Sequence, residues 1–286
     1  MSKRLLQTSA GFCFFLISSH VFASSLQIST SPDRVIQGDP IMITILGTST
    51  LSGIKSITVD KKSLPLFIYD NKPTALYGFD LYKKTGTSTI TVTMKNTEVV
   101  SKEITLEKVA KIEAPLGIPK SLGGNTTKSQ KKLVDTLASE NKSLLNLRTG
   151  KSAFWKLPFI YPVENPIVTD DYGYSRKTGS YTIAHKGTDF RAPTGTKVFA
   201  MNRGVVRIAK TYRNYGKMIV IDHGLGVMTF YVHLSKIKVT PGTVVEQGQL
   251  IGLSGSTGYA EGPHLHVSVR INDISINPVT FLGFFK

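Results

Sequence analysis

The sequence predicts a mainly β protein, with an N-terminal β-sandwich, a helical connector and a C-terminal antiparallel β-sheet. Three observations predict it. Apolar residues alternate with threonine or serine in several short runs, the two-residue period of half-buried strands. Glycines and an Asp-Asn pair punctuate these runs at short intervals. One stretch, near the middle of the 286 residues, repeats leucine at helical spacing. The length suits two domains.

Residues 1–23 read as an export leader. Lys3 and Arg4 form a charged start, 11–17 an apolar core, and Val21-Phe22-Ala23 a cleavage site before Ser24. The apolar run is too short to span a membrane. Cleavage removes Cys13, the single cysteine. The mature chain then has no disulfide and no thiolate, so a bound metal would need nitrogen and oxygen ligands, which suits zinc.

Residues 24–110 read as the N-terminal sandwich. Ile41, Ile43 and Ile45 alternate after a Gly38-Asp39-Pro40 break. Residues 54–59 form another strand candidate, and Ile90, Val92 and Met94 alternate with Thr89, Thr91 and Thr93. Gly38, Gly53, Gly86 and Asp70-Asn71 mark turns. Short strands at this spacing suggest an immunoglobulin-like (Ig-like) arrangement. The region holds no histidine.

Residues 111–150 read as a linker and a helix. Pro115, Gly117, Pro119, Gly123 and Gly124 break regular structure. A helix is predicted over 129–148, with Leu133, Leu137, Leu144 and Leu145 as its apolar stripe and Gly150 as its stop. It is expected to pack on a neighbouring domain; a mobile arm over the active site is the other reading.

Residues 151–286 change to short β-runs and many glycines. Runs at 218–221 and 227–232 read as a hairpin joined through 222–226. Residues 239–252 read as two glycine-punctuated steps of a tightly turned sheet.

The formal charge of +16 points to acidic partners. The basic residues are dispersed and no nucleic-acid motif accompanies them, so the expectation is an anionic envelope surface and no nucleic acid. Solubility alone is the plainer explanation.

Five of the six histidines lie between residues 185 and 266. His264 and His266 are two apart, so on a strand both face one side while Leu265, Val267 and Val269 face the other. His185 and Asp189 are four apart, and Gly187 between them permits a tight path. Either pair alone also fits ordinary core or surface groups. Together, His185, Asp189 and His266 supply three zinc ligands and leave a fourth position open. His233 and His264 remain to move protons or steady an oxyanion. His223 reads as a turn residue bonded to backbone.

Residues 155–280 resemble the M23 family of zinc metallopeptidases, the lysostaphin or LytM-like peptidoglycan endopeptidases. The matching stretches are His-Lys-Gly-Thr-Asp-Phe-Arg-Ala-Pro-Thr-Gly-Thr at 185–196, Ile-Asp-His-Gly-Leu-Gly at 221–226, Tyr-Val-His-Leu at 231–234, Gly-Ser-Thr-Gly at 255–258 and Gly-Pro-His-Leu-His at 262–266. The resemblance implies one Zn2+ held by His185, Asp189 and His266, with His233 and His264 catalytic. Val267-Ser268 stands where the family often has Phe-Glu, and Val232 where it often has Ala. Upstream, the β-rich region, helix, Trp155 and Pro162-Val163 resemble Gram-negative members. That implies an exported, periplasmic or secreted enzyme acting on peptidoglycan crosslinks such as D-alanyl–diaminopimelate, rather than glycyl–glycine bonds.

Position suggests that Tyr174 and Tyr181 line the substrate groove, and the resemblance, in a family often regulated by blocking, implies an intramolecular contact of the N-terminal domain with the groove through a side chain of residues 24–150. Two other functions compete. A non-enzymatic activator of cell-wall amidases lacks the zinc residues, all of which are filled here. A phosphocarrier or lipoyl-like module fits the steps at 239–252 but not an export leader.

Overall fold

The computed structural model describes residues 26–110, 112–155 and 158–284. The leader at 1–23, with Cys13, lies outside the described residues. Those that are described form a mainly β fold of several sheets, with the one long helix between its N-terminal and C-terminal strands.

Two sheets open the chain. Gln27–Ser31, Pro40–Leu46, Lys72–Gly78 and Phe67–Tyr69 form the first; Val35–Ile36, Val99–Glu107, Gly86–Met94, Ile54–Val59 and Lys62–Ser63 form the second. The alternation determines their shared core, where Ile41, Ile43 and Ile45 meet Ile57, Val59, Ile90 and Val92. The first sheet is apolar on its other face as well. Met42, Leu76 and Phe67 join the core of the C-terminal region with Trp155 and Phe159, the Phe67 and Trp155 rings 5.3 Å apart edge to face.

The helix α1 (Thr127–Ser143) differs from the predicted 129–148 at both ends. Thr126 caps it, its Oγ1 accepting from the Ser129 N–H at 3.2 Å. It stops at Ser143 because Leu144 leaves helical geometry and is buried, while Leu145 is exposed. Gly150 is not the stop: its N–H donates to Asp222 Oδ2. The predicted stripe is therefore reduced to Leu133 and Leu144 as buried anchors. The preceding loop hides a strand. Glu113–Pro115 pairs in parallel with Ser175–Thr178, although proline and glycine make that stretch read as irregular.

The C-terminal region is built on an eight-stranded antiparallel sheet. Its path runs Val168–Asp170, Thr188–Arg191, His264–Ile271, Val227–Leu234, Gly216–Asp222, Gly204–Tyr212 and Val244–Val245, and Ile274–Ile276 pairs with His264–Ile271. The predicted hairpin is the Gly216–Asp222 and Val227–Leu234 pair. Leu265, Val267, Val269, Phe190, Tyr231, Ile219 and Ile221 fill the core on one face. The other face carries Met218, Val220, Phe230 and Val232 beneath Leu144. Glu140 fastens α1 there by accepting from the backbone N–H groups of Arg213 and Asn214. The short helix α2 (Pro278–Gly283), capped by Asn277, buries Phe281 in the main core.

Candidate metal centre

Register brings the predicted residues together. Asp189 stands directly opposite His266 across antiparallel strands, so their side chains share a face. Phe190 and Leu265, the next pair, are fully buried on the opposite face. His185 comes from the turn before Thr188–Arg191. Gly187 is needed there for space: a Cβ would lie 2.4 Å from His266 Nε2 and 2.6 Å from the Val267 carbonyl. Its φ is not positive, so the close approach of the imidazole, more than a tight path, excludes a side chain.

His233 reaches the site by an irregularity. Strict alternation would put it on the Tyr231 side, facing the core. Between the Lys217–Leu234 and Ile219–Tyr231 pairs, however, two residues oppose one. His233 sits in this bulge at φ +62, a left-handed conformation uncommon for residues other than glycine. Its ring ends 4.8 Å from His264 and 6.1 Å from His266, centroid to centroid.

Hydrogen bonds assign the proton on every site imidazole. His185 Nδ1–H donates to the Asp171 carbonyl at 2.8 Å, leaving Nε2 as an acceptor. Ser268 Oγ donates its only proton to the Lys186 carbonyl at 2.8 Å, so it accepts from His266 Nε2–H at 3.0 Å, leaving Nδ1. His233 Nδ1–H donates to the Thr257 carbonyl at 2.8 Å, and His264 Nδ1–H to the Gly262 carbonyl at 2.9 Å. Both leave Nε2 as a lone pair.

Three acceptors therefore converge. His185 Nε2 lies 3.1 Å from Asp189 Oδ1 and 3.0 Å from His266 Nδ1, which is 2.8 Å from Asp189 Oδ1. Lone pairs packed this closely repel unless a cation or extra protons join them. Burial pushes His266 down, toward its neutral form, despite the pull of Asp189. Burial alone would raise Asp189; when extra protons occupy His185 Nε2 and His266 Nδ1, hydrogen bonds and charge from those rings hold it well below the usual carboxylate range. Two imidazole nitrogens and one carboxylate oxygen, all within 4.8 Å, fit a single zinc-type ion. His233 is pushed down to about 3 by burial and by the neighbouring His264 and His266.

All five residues line one cavity of about 790 Å³ that continues beneath α1. Tyr174 and Tyr181 do not line it. Tyr174 is tied to Asp171 on the outer side, and the tyrosines in the wall are Tyr82, Tyr215 and Tyr259. Sequence reasoning also missed Asp170 and Arg176, which pair with each other beside Asp189 and bear no recognisable spacing. His223 lies elsewhere, wholly buried, with Nδ1 bonded to the Arg203 carbonyl at 2.9 Å and Nε2 to Thr229 Oγ1 at 2.8 Å.

Residues 183–278 match the family model of peptidase family M23. The peptidoglycan DD-endopeptidase ShyA of Vibrio cholerae is 46% identical over 93 residues, 32% of this chain and 22% of that protein. The chain thus spans about a fifth of this curated relative. The catalytic domain of the antimicrobial peptidase lysostaphin from Staphylococcus simulans is 34% identical, covering 42% of this chain and 93% of that one, with a TM-score of 0.39. A crystal structure of a putative peptidase M23 from Pseudomonas aeruginosa superposes over 88% of this chain and 96% of its own, with a TM-score of 0.62 and 23% identity, a likeness of fold.

Proposed function

We propose that this chain, which belongs to peptidase family M23 through residues 183–278, is a zinc-dependent endopeptidase that hydrolyses peptide crosslinks of peptidoglycan. The observation that carries this reading is the convergence of three lone-pair atoms beside two further imidazoles with free Nε2 atoms. His185 Nε2, Asp189 Oδ1 and His266 Nδ1 are the zinc ligands. When bound, zinc supplies Lewis acidity, which polarises a scissile carbonyl and acidifies water.

The chain's own groups do the rest. His264, its Nδ1–H held by a backbone carbonyl, presents Nε2 to take a proton from the attacking water, and His233, held in the same way and kept neutral by burial, presents a second Nε2 lone pair to hydrogen-bond and orient that water. The same proton passes to the leaving nitrogen as the carbon–nitrogen bond breaks. The fixed Nδ1 bonds keep both rings from turning, so the two Nε2 atoms stay in place through the reaction. Ser268 performs the equivalent service for ligand His266.

Finer features belong to the same reading. The two N-terminal sheets, within residues 24–110, form an Ig-like sandwich, followed by the 111–150 linker and helix and a 151–286 peptidase domain. The chain is exported to a Gram-negative envelope, where its positive charge favours anionic surfaces. The crosslink is of the D-alanyl–diaminopimelate kind, in keeping with the DD-endopeptidase name of ShyA. N-terminal residues reach the groove: Asp80 and Tyr82 line it, and Lys186 lies 3.7 Å from Asp80 and 5.1 Å over the Tyr82 ring.

Metal content and cleavage, measured together, test the roles. His264→Ala is expected to keep its zinc and lose cleavage, whereas His266→Ala loses both. Zinc loss from His264→Ala would reverse the assignment of ligand and proton carrier.

A further inference from the structure

Arg270 is a charged group in the cavity wall that the proposed chemistry does not use. It lies on the strand of His264 and His266, on the same face, four residues past His266. At about 3.3 Å per residue it stands roughly 13 Å from that ligand. It is only 8% exposed, and its guanidinium lies 4.5 Å over the Phe230 ring.

Its partners are incomplete. Nη1 donates to the Leu144 carbonyl at 2.9 Å, the residue that ends α1. Nη2 reaches Asn141 Oδ1 only at 3.4 Å, an oxygen that already accepts from the Tyr215 hydroxyl at 2.8 Å. Nε is buried with no partner. The other wall cations have carboxylates, Arg176 with Asp170 and Lys186 with Asp80. Among the described residues none forms an ion pair with Arg270. Asp273, the acidic group whose field reaches it, uses Oδ2 to accept from the Asn146 N–H.

Arginine stays charged at any working pH, and a buried charge without a counter-ion is costly. The carbonyl of Leu144 offers only the partial charge of a helix end. The Nε and Nη2 hydrogens form one edge of the guanidinium fork, and that edge fits the two oxygens of a carboxylate. Nη1 can remain on Leu144 while the edge is filled. Between Arg270 and the metal-ligand cluster the floor is Phe230, Val232 and Ser268.

We infer that Arg270 is a specificity-determining residue that receives a carboxylate of the substrate peptide, about three to four extended residues from the bond held at the His185–Asp189–His266 cluster. The inference rests on the endopeptidase reading above.

The test uses two synthetic crosslinked peptides that differ in one group, a free carboxylate or a primary amide at that distance. The zinc-loaded full chain cleaves the acid at least about tenfold better in kcat/KM, mainly through KM, as expected for a charge-assisted pair. Arg270→Gln brings the ratio near one, and Arg270→Lys restores part of it. If Arg270 served only to anchor α1, Arg270→Gln would slow both peptides alike and leave the ratio unchanged, which would overturn the inference. A wild-type ratio of one overturns it too, even if Arg270→Gln fails to fold, while hydrolysis of both peptides upholds the endopeptidase reading. No hydrolysis of either by the zinc-loaded wild type overturns that reading and the inference with it.

Discussion

Ser268 has one hydroxyl proton, and the Lys186 carbonyl takes it. The oxygen is then left to hold His266 by its Nε2–H, and the same side chain ties the His266 strand to the turn that carries His185. Ser268→Ala is expected to weaken zinc affinity about 10–100-fold with the fold intact, measured by competitive metal titration. Unchanged affinity would show that the ring needs no such support. His223 gives a second residue-scale prediction. Burial lowers it to about 4 in the folded state from an unfolded value near 6.5, so it is neutral when folded. The unfolded chain then binds the extra proton between these values, and stability falls as pH drops from about 6.5 to 4. The loss is on the order of 3 kcal/mol. Urea unfolding of wild type and His223→Gln at pH 7 and pH 4.5 checks it; the variant should lose less. His185, Asp189, His233, His264 and His266 could be singled out because few residue types offer such chemistry, and the fold gathers them in one cavity. Ser268 was legible only as a departure from a family pattern, and Arg176 not at all, because its role depends on a neighbour outside any motif.

Strands were legible both where apolar and polar residues alternate and, as in the Val227–Leu234 hairpin arm, where a short apolar run is buried on both faces. Ile54–Val59 has the predicted bounds, and the alternation of Leu265, Val267 and Val269 places His264 and His266 as expected. The His233 bulge could not be read, since the Tyr-Val-His-Leu pattern looks like an unbroken strand whose parity would point His233 into the core. Pairing set the bulge, and pairing is a property of two strands. The helix end escaped for a similar reason. Leu144 and Leu145 both suit a helix, but Leu144 is drawn beneath α1 and its carbonyl to Arg270. Leu133 is the buried anchor within α1. Leu133→Ala should cost about 2–5 kcal/mol in urea unfolding. A negligible change would mean that α1 contributes little to the folded state.

At the scale of the whole molecule, the β-rich region, the helix and the second sheet follow in the predicted order, and the first and last share core residues. Met42, Leu76 and Phe67 look like ordinary strand residues, yet they complete a core with Trp155, Phe159 and Phe281. Polar contacts follow the same seam. Asn277 N–H donates to the Gly38 carbonyl, Thr280 Oγ1 to Asp39, and the Tyr172 hydroxyl to the Ser275 carbonyl at 2.8 Å. Gly38 has φ +91, and a Cβ there would lie 2.3 Å from the Tyr172 ring. Gly38→Ala should therefore lower the Tm more than Tyr172→Phe, which removes one hydrogen bond worth about 1 kcal/mol. Equal effects in calorimetry would refute the close packing of this seam. The central claim, that the converging acceptors make a zinc peptidase, is tested most directly by crosslinked muropeptides incubated with the full chain. The account predicts one zinc per chain, scission of the crosslinks, loss of scission on chelation and its return with zinc. Zinc-loaded protein that leaves the crosslinks intact would contradict it.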